Sequence, residues 1–215
     1  MRIKTLTVGP LKTNCYLLID DQTQQTIIVD PADEADFITT TLIEDRLTPT
    51  AILLTHGHYD HCLGTLELQL NFNIPIHLHK SDYPLYQKDH LSAKHFSNIK
   101  IPPLPKANNL LDNNQIILFG NSSLKVIHTP GHTPGSCCFI SVCHSGLDPE
   151  SSPKSLFTGD TLFATGPGKA DHSYSSKSDL QKSLDKLRSE IRNLKSVIIY
   201  PGHEEWGFIA LPSLF

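Results

Sequence analysis

Four potential metal ligands fall within six residues at Thr55-His56-Gly57-His58-Tyr59-Asp60-His61, directly behind the apolar run Ala51–Leu54. Few folds accommodate this. A short apolar run of that kind is a buried strand, so the loop must open at a sheet edge, where a stiff strand end can hold it. In an extended loop, side chains two apart project to the same side, so His56 and His58 can reach one cation. Asp60 and His61 then turn toward a second point, and Gly57 removes a side chain where the backbone must pass close by. The bland alternative is a His-rich surface loop, but three histidines and a carboxylate at this density argue against it.

Three later segments repeat the layout of a strand ending in a tight turn that bears a potential ligand. Val126–Thr129 leads into Pro130-Gly131-His132-Thr133-Pro134-Gly135-Ser136, Leu156–Thr158 into Gly159-Asp160-Thr161, and Val197–Tyr200 into Pro201-Gly202-His203-Glu204. A single such turn is weak evidence. Together with the first cluster, these turns supply the ligands that two incomplete sites lack.

The remaining pattern predicts strands at Met1–Val8, Cys15–Asp20, Thr26–Asp30, Ile74–His79, Gln115–Phe119, Leu124–His128, Cys137–Cys143 and Ser155–Thr158. Helices are expected at Asp33–Arg46, Leu63–Leu70, Ser81–Leu91 and Ser176–Leu194. The last carries Leu180, Leu184, Leu187, Ile191 and Leu194 on one face, and the first carries Phe37, Ile38, Thr41, Leu42 and Asp45. Residues 97–114 read as an irregular crossing loop, and His144–Lys154 as an exposed, dispensable hairpin insertion. Strands and helices in two similar halves predict a four-layer αβ/βα sandwich spanning residues 1–215 as one domain.

The charge balance, 18 Lys and Arg against 22 Asp and Glu, gives a net charge of −4 and no basic stripe, so nothing argues for a nucleic acid and none is expected as partner. No run approaches the ~20 apolar residues that cross a bilayer, and the start MRIKTLTVG has no signal-peptide core. The five cysteines, odd in number and without a CxxC pair, read as reduced thiols in a cytoplasmic protein. Cys62, beside His61, reads as a packed residue rather than a ligand.

The H-x-H-x-D-H run, the T-P-G-H-T-P-G-S turn, the F-T-G-D-T-L-F segment and the P-G-H turn occur in the order used by the metallo-β-lactamase superfamily. Their flanks most resemble its glyoxalase II branch, the hydroxyacylglutathione hydrolases, from Thr13-Asn14-Cys15-Tyr16 to His203. The resemblance implies that His56, His58 and His132 bind one divalent ion, that Asp60, His61 and His203 bind another, and that Asp160 bridges them. It implies a hydroxide shared by the two ions, attacking a small thioester such as S-D-lactoylglutathione, with Asp60 accepting a proton. Zinc is the first expectation, and iron or manganese also suits the donor set.

In that branch the loop G-D-T-L-F-x-x-G-x-G-K holds a substrate carboxylate with its lysine. Gly159–Lys169 matches it and nominates Lys169, although Asp171 stands where an aromatic is usual and His172 and Tyr174 lie nearby. Only twelve residues follow His203, so the resemblance is to the compact bacterial type without a C-terminal helical domain. Alternatives are a persulfide dioxygenase with a single iron and a non-catalytic metal-binding module. A true β-lactamase is disfavoured by Asp160, and a nuclease by the lack of a basic surface. Oligomeric state has no signature in the sequence.

Overall fold

Alternating apolar side chains in short strands give this chain two faces on each sheet, and so three separate layers of core. Residues 1–98, 100–142, 153–194, 196–204 and 207–209 are described by the structure, a computed structural model. The first sheet has the order β1 (Arg2–Val8), β2 (Thr13–Ile19), β3 (Gln25–Val29), β4 (Thr48–Leu53), β5 (Ile76–His79), β6 (Asn109–Leu111). β1, β2 and β3 pair antiparallel, and β3 through β6 run parallel. The parallel crossings carry α1 (Ala35–Glu44), α2 (Tyr59–Cys62), α3 (Thr65–Phe72), α4 (Tyr83–Tyr86) and α5 (Asp89–Ser97).

The second sheet begins with the antiparallel strands β7 (Ile116–Phe119), β8 (Ser122–His128), β9 (Cys137–Val142) and β10 (Lys154–Gly159). A small ribbon, β11 (Leu162–Phe163) with β12 (Gly166–Pro167), follows. Then α6 (Lys177–Ile191) crosses to β13 (Val197–Pro201), which is parallel to β10, and β14 (Gly207–Ile209) closes the edge.

Neighbouring residues on one strand enter different layers, as the period of two demands. Leu17, Ile28 and Ile52 pack toward Ile38, Leu42 and Leu68 of the outer helices. Leu18, Ile27, Val29 and Leu53 meet Val126, Phe139 and Phe157 between the sheets. Ile127, Cys138, Leu156 and Ile199 pack against Leu180, Leu184, Leu187 and Ile191 of α6. Helix, sheet, sheet, helix is the expected αβ/βα sandwich.

Some boundaries differ from expectation. The expected helix 81–91 is split: a 3-10 turn at Lys80–Asp82 runs into α4, with Pro84 in its first turn, and α5 starts afresh at Asp89 and runs on to Ser97. Phe37 is half exposed and Asp45 caps α1, so the buried face of that helix is Ala35, Ile38, Thr41 and Leu42. β6 lies inside the expected crossing loop, and β14 lies in the tail beyond His203. Of the expected insertion 144–154, residues 144–152 lie outside the described residues, and Lys154 belongs to β10. Among the described residues no helix is long and apolar enough to cross a membrane.

Candidate metal centre

At one edge of the sandwich the ends of β4, from the first sheet, and of β8, β10 and β13, from the second, lie together, and each end delivers one of the ligand-bearing turns. His58 Nδ1 lies 2.9 Å from His56 Nε2 and 3.1 Å from His132 Nε2, three donors converging from loops 74 residues apart. Asp60, His61 and His203 form a second group, with ligand atoms in each group within 4.8 Å of one another. Asp160 sits between the groups. One oxygen is 3.6 Å from His132 Nε2 and 3.8 Å from His203 Nε2, and the other is 3.6 Å from His61 Nε2. All seven residues expected to meet do so.

What orients the rings decides whether they suit a cation. An imidazole that donates one N–H to a fixed acceptor turns its other nitrogen to the centre. His61 Nδ1 donates to Asp30 at 2.9 Å, His132 Nδ1 to the Lys169 carbonyl at 2.8 Å, and His203 Nδ1 to the Leu11 carbonyl at 3.1 Å. Thr55 spends its one hydroxyl proton on Asp30, so its oxygen accepts from His56 Nδ1 at 3.0 Å. In these four rings Nε2 faces inward. Asp30 also lies within ligand range of His56 and His61, but its oxygens are taken by Thr55 and His61 from behind.

Buried polar atoms without a partner mark the gap between the groups: His61 Nε2 and Asp160 Oδ1 face each other and neither has a hydrogen bond. Such orphans are costly unless something polar joins them, and a divalent ion satisfies both at once. Electrostatics divides the centre. Burial, and then the neighbouring histidines, push the His56 imidazole well below its usual range and His58 down to about 3. Burial also opposes charge on His61, but Asp60, Asp30 and Asp160 outweigh it and raise that ring to about 10. Burial favours the neutral Asp60 carboxyl, yet His61 and His203 hold its pKa well below the ordinary value. By donor type, imidazole nitrogens with carboxylate oxygens and no thiolate, the two groups fit hard-to-intermediate divalent cations.

Sequence reasoning missed the residues that brace the loops. Asp82, fully buried, accepts from the Gly57 amide at 2.9 Å, the Thr133 hydroxyl at 2.6 Å and the Gly135 amide at 2.5 Å, tying the His56–His61 loop to the His132 turn. A Cβ at Gly135 would stand 2.7 Å from that carboxyl. Asn14 donates to the Pro201 and Glu204 carbonyls, and the Tyr16 hydroxyl donates to Pro201 at 2.5 Å, so the Thr13–Tyr16 motif clamps the His203 turn. Cys62 is buried, burial pushes its thiol up, and its sulfur points to the His56 carbonyl, away from any ligand role.

The centre floors a cavity of about 870 Å³. One wall is Leu85, Asp89 and Phe96 of α4–α5. The other runs from Phe163 through Lys169 and Asp171 to Tyr174. Lys169 thus lines the cavity and gives its carbonyl to His132.

An αβ/βα sandwich with His and Asp clusters at one edge, where strand ends of both sheets converge, defines a class of metal-dependent enzymes. The chain belongs to the metallo-beta-lactamase superfamily, whose family profile matches residues 8–203. It is similar to the probable polyketide biosynthesis zinc-dependent hydrolase PksB of Bacillus subtilis (strain 168), 32% identical over 208 residues, 93% of this chain and 79% of the relative. Among solved structures it resembles the B3 metallo-beta-lactamase BLEG-1, with a TM-score of 0.82 and 30% identity over 96% of this chain and 94% of that one. It also resembles TTHA1623 in a di-iron-bound form, with a TM-score of 0.79 and 32% identity over 95% and 94%. With its His/Asp clusters, the chain is a metal-dependent hydrolase of this superfamily.

Proposed function

We propose that the chain hydrolyses small thioesters with the help of two divalent cations, hydroxyacylglutathiones such as S-D-lactoylglutathione being the first substrates to test. The observation that carries this reading is the convergence of two three-residue groups and of Asp160 between them, each ring nitrogen turned inward, on the floor of an open cavity of about 870 Å³. His56, His58 and His132 would hold one ion and Asp60, His61 and His203 the other, with Asp160 reaching both. Bound there, such a pair lowers the pKa of a water and polarises a carbonyl. Zinc leads, in keeping with the name of PksB, and iron follows from the likeness to TTHA1623.

The rest falls to the chain's own groups. Asp60, whose Oδ2 lies 3.2 Å from His203 Nε2 at the cavity floor, is the carboxylate placed to take up a proton as the tetrahedral intermediate collapses. A thiolate departs without a strong acid to protonate it. Lys169 attracts a substrate carboxylate from the cavity wall, and Asp171 on the same wall opposes a second one. None of the three similar proteins is named for glutathione esters, and BLEG-1 is named for β-lactams, so the assay includes both.

Zinc-loaded protein is expected to turn over lactoylglutathione or a short neutral acyl thioester at least 100-fold faster than a penicillin. An Asp60→Asn variant that keeps its metals is expected to lose on the order of 100-fold in kcat. Penicillin as the preferred substrate, or oxygen uptake on glutathione persulfide with one iron per chain, would replace this reading.

A further inference from the structure

Four of the five histidines of the centre are oriented from inside the protein, by Thr55, Asp30 and two backbone carbonyls. His58 is the exception. It turns Nδ1 to the centre, so its Nε2 points outward to the cavity wall, where it lies 2.7 Å from the Tyr174 hydroxyl. For Nδ1 to offer a lone pair, Nε2 must carry the proton and donate it to that hydroxyl. Tyr174 is itself held: its ring stacks on His172 at 5.3 Å and 15°, and Ser175 donates to the His132 carbonyl at 2.7 Å. The Lys169 carbonyl, five residues earlier, receives His132 Nδ1. One short strap, residues 169–175, therefore sets two of the three rings of the His56/His58/His132 group.

We infer that Tyr174 is a positioning residue for His58, fixing its tautomer so that the strap lining the substrate cavity also sets the affinity of the adjacent cation. The inference rests on the two-cation reading above. Tyr174 is more than a third exposed and belongs to none of the three core clusters, so loss of its hydroxyl is expected to leave the fold intact. Tyr174→Phe keeps the ring on His172 and removes only the hydrogen bond.

Zinc titration of metal-free protein against a chelator, with cobalt(II) as a spectroscopic probe, reads the effect without any substrate. Wild type is expected to bind two zinc ions. The variant is expected to weaken one of them about 10-fold and leave the other unchanged, in line with orienting partners elsewhere. The cobalt absorption of that one site should shift, while the thermal midpoint of the metal-free protein stays put. Affinities unchanged at both sites, or weakened equally at both, would overturn the role given to Tyr174. Fewer than two zinc ions on wild type would instead remove the two-cation reading on which it depends.

Discussion

A methyl group is enough to test how tightly the seven donors are packed. Gly202 lies under Asp160 and His61. A Cβ there would collide with the Asp160 carboxylate and stand 2.7 Å from His61 Cε1. Gly202→Ala must displace the one carboxylate that touches both groups, so zinc affinity is expected to drop on the order of 10–100-fold, as it does when a ligand loses its orienting partner. A chelator competition titration checks this, and an unchanged affinity would mean the turn has room to spare. The seven convergent residues were legible because their chemistry is unusual at those spacings. Asp30 and Asp82 were not: one reads as the end of the strand Thr26–Asp30 and the other as part of the expected helix Ser81–Leu91. Their partners, at Thr55 and His61 and at Thr133 and Gly135, are reached only through the fold.

Between elements, a pair of histidines ties the first sheet to the second. His79 at the end of β5 stacks on His128 at the end of β8, centroids 3.9 Å apart and 13° from parallel. Burial, then His128 and Lys80, lower His79 from 6.5 to about 4. The unfolded chain thus binds a proton that the folded one refuses between those values. This contribution to stability is complete above about pH 6.5 and fades as pH falls toward 4. His79→Phe keeps a ring for stacking and cannot titrate. Urea midpoints of the metal-free variant should fall less between pH 7 and 4.5 than those of wild type, and parallel declines would assign the acid sensitivity elsewhere. At this scale the longer strands and α6 were readable from periodicity, Leu180, Leu184, Leu187 and Ile191 all being buried. The short strands were not. β6 has two exposed residues of three, and β11 and β12 have two residues each, so neither shows a period.

Over the whole molecule, the sandwich follows from alternation: each strand feeds two core layers, and three layers require two sheets with helices outside. What alternation does not encode is how the sheets are set against each other. That depends on contacts between distant residues, such as Asp20 accepting from Thr23, Asn121 and Ser122, where burial is outweighed by these donors and the carboxyl falls to about 2. Other long-range contacts, those of Asn14 to the His203 turn and of Asp82 to the His56–His61 loop and the His132 turn, bring the ligand-bearing ends of the strands together, and the metal centre exists only through them. Anomalous diffraction at the zinc edge, from crystals grown with zinc, examines that convergence directly. Two peaks are predicted, one among His56, His58 and His132 and one among Asp60, His61 and His203, with Asp160 between them. A single peak, or zinc bound away from these residues, would contradict the account.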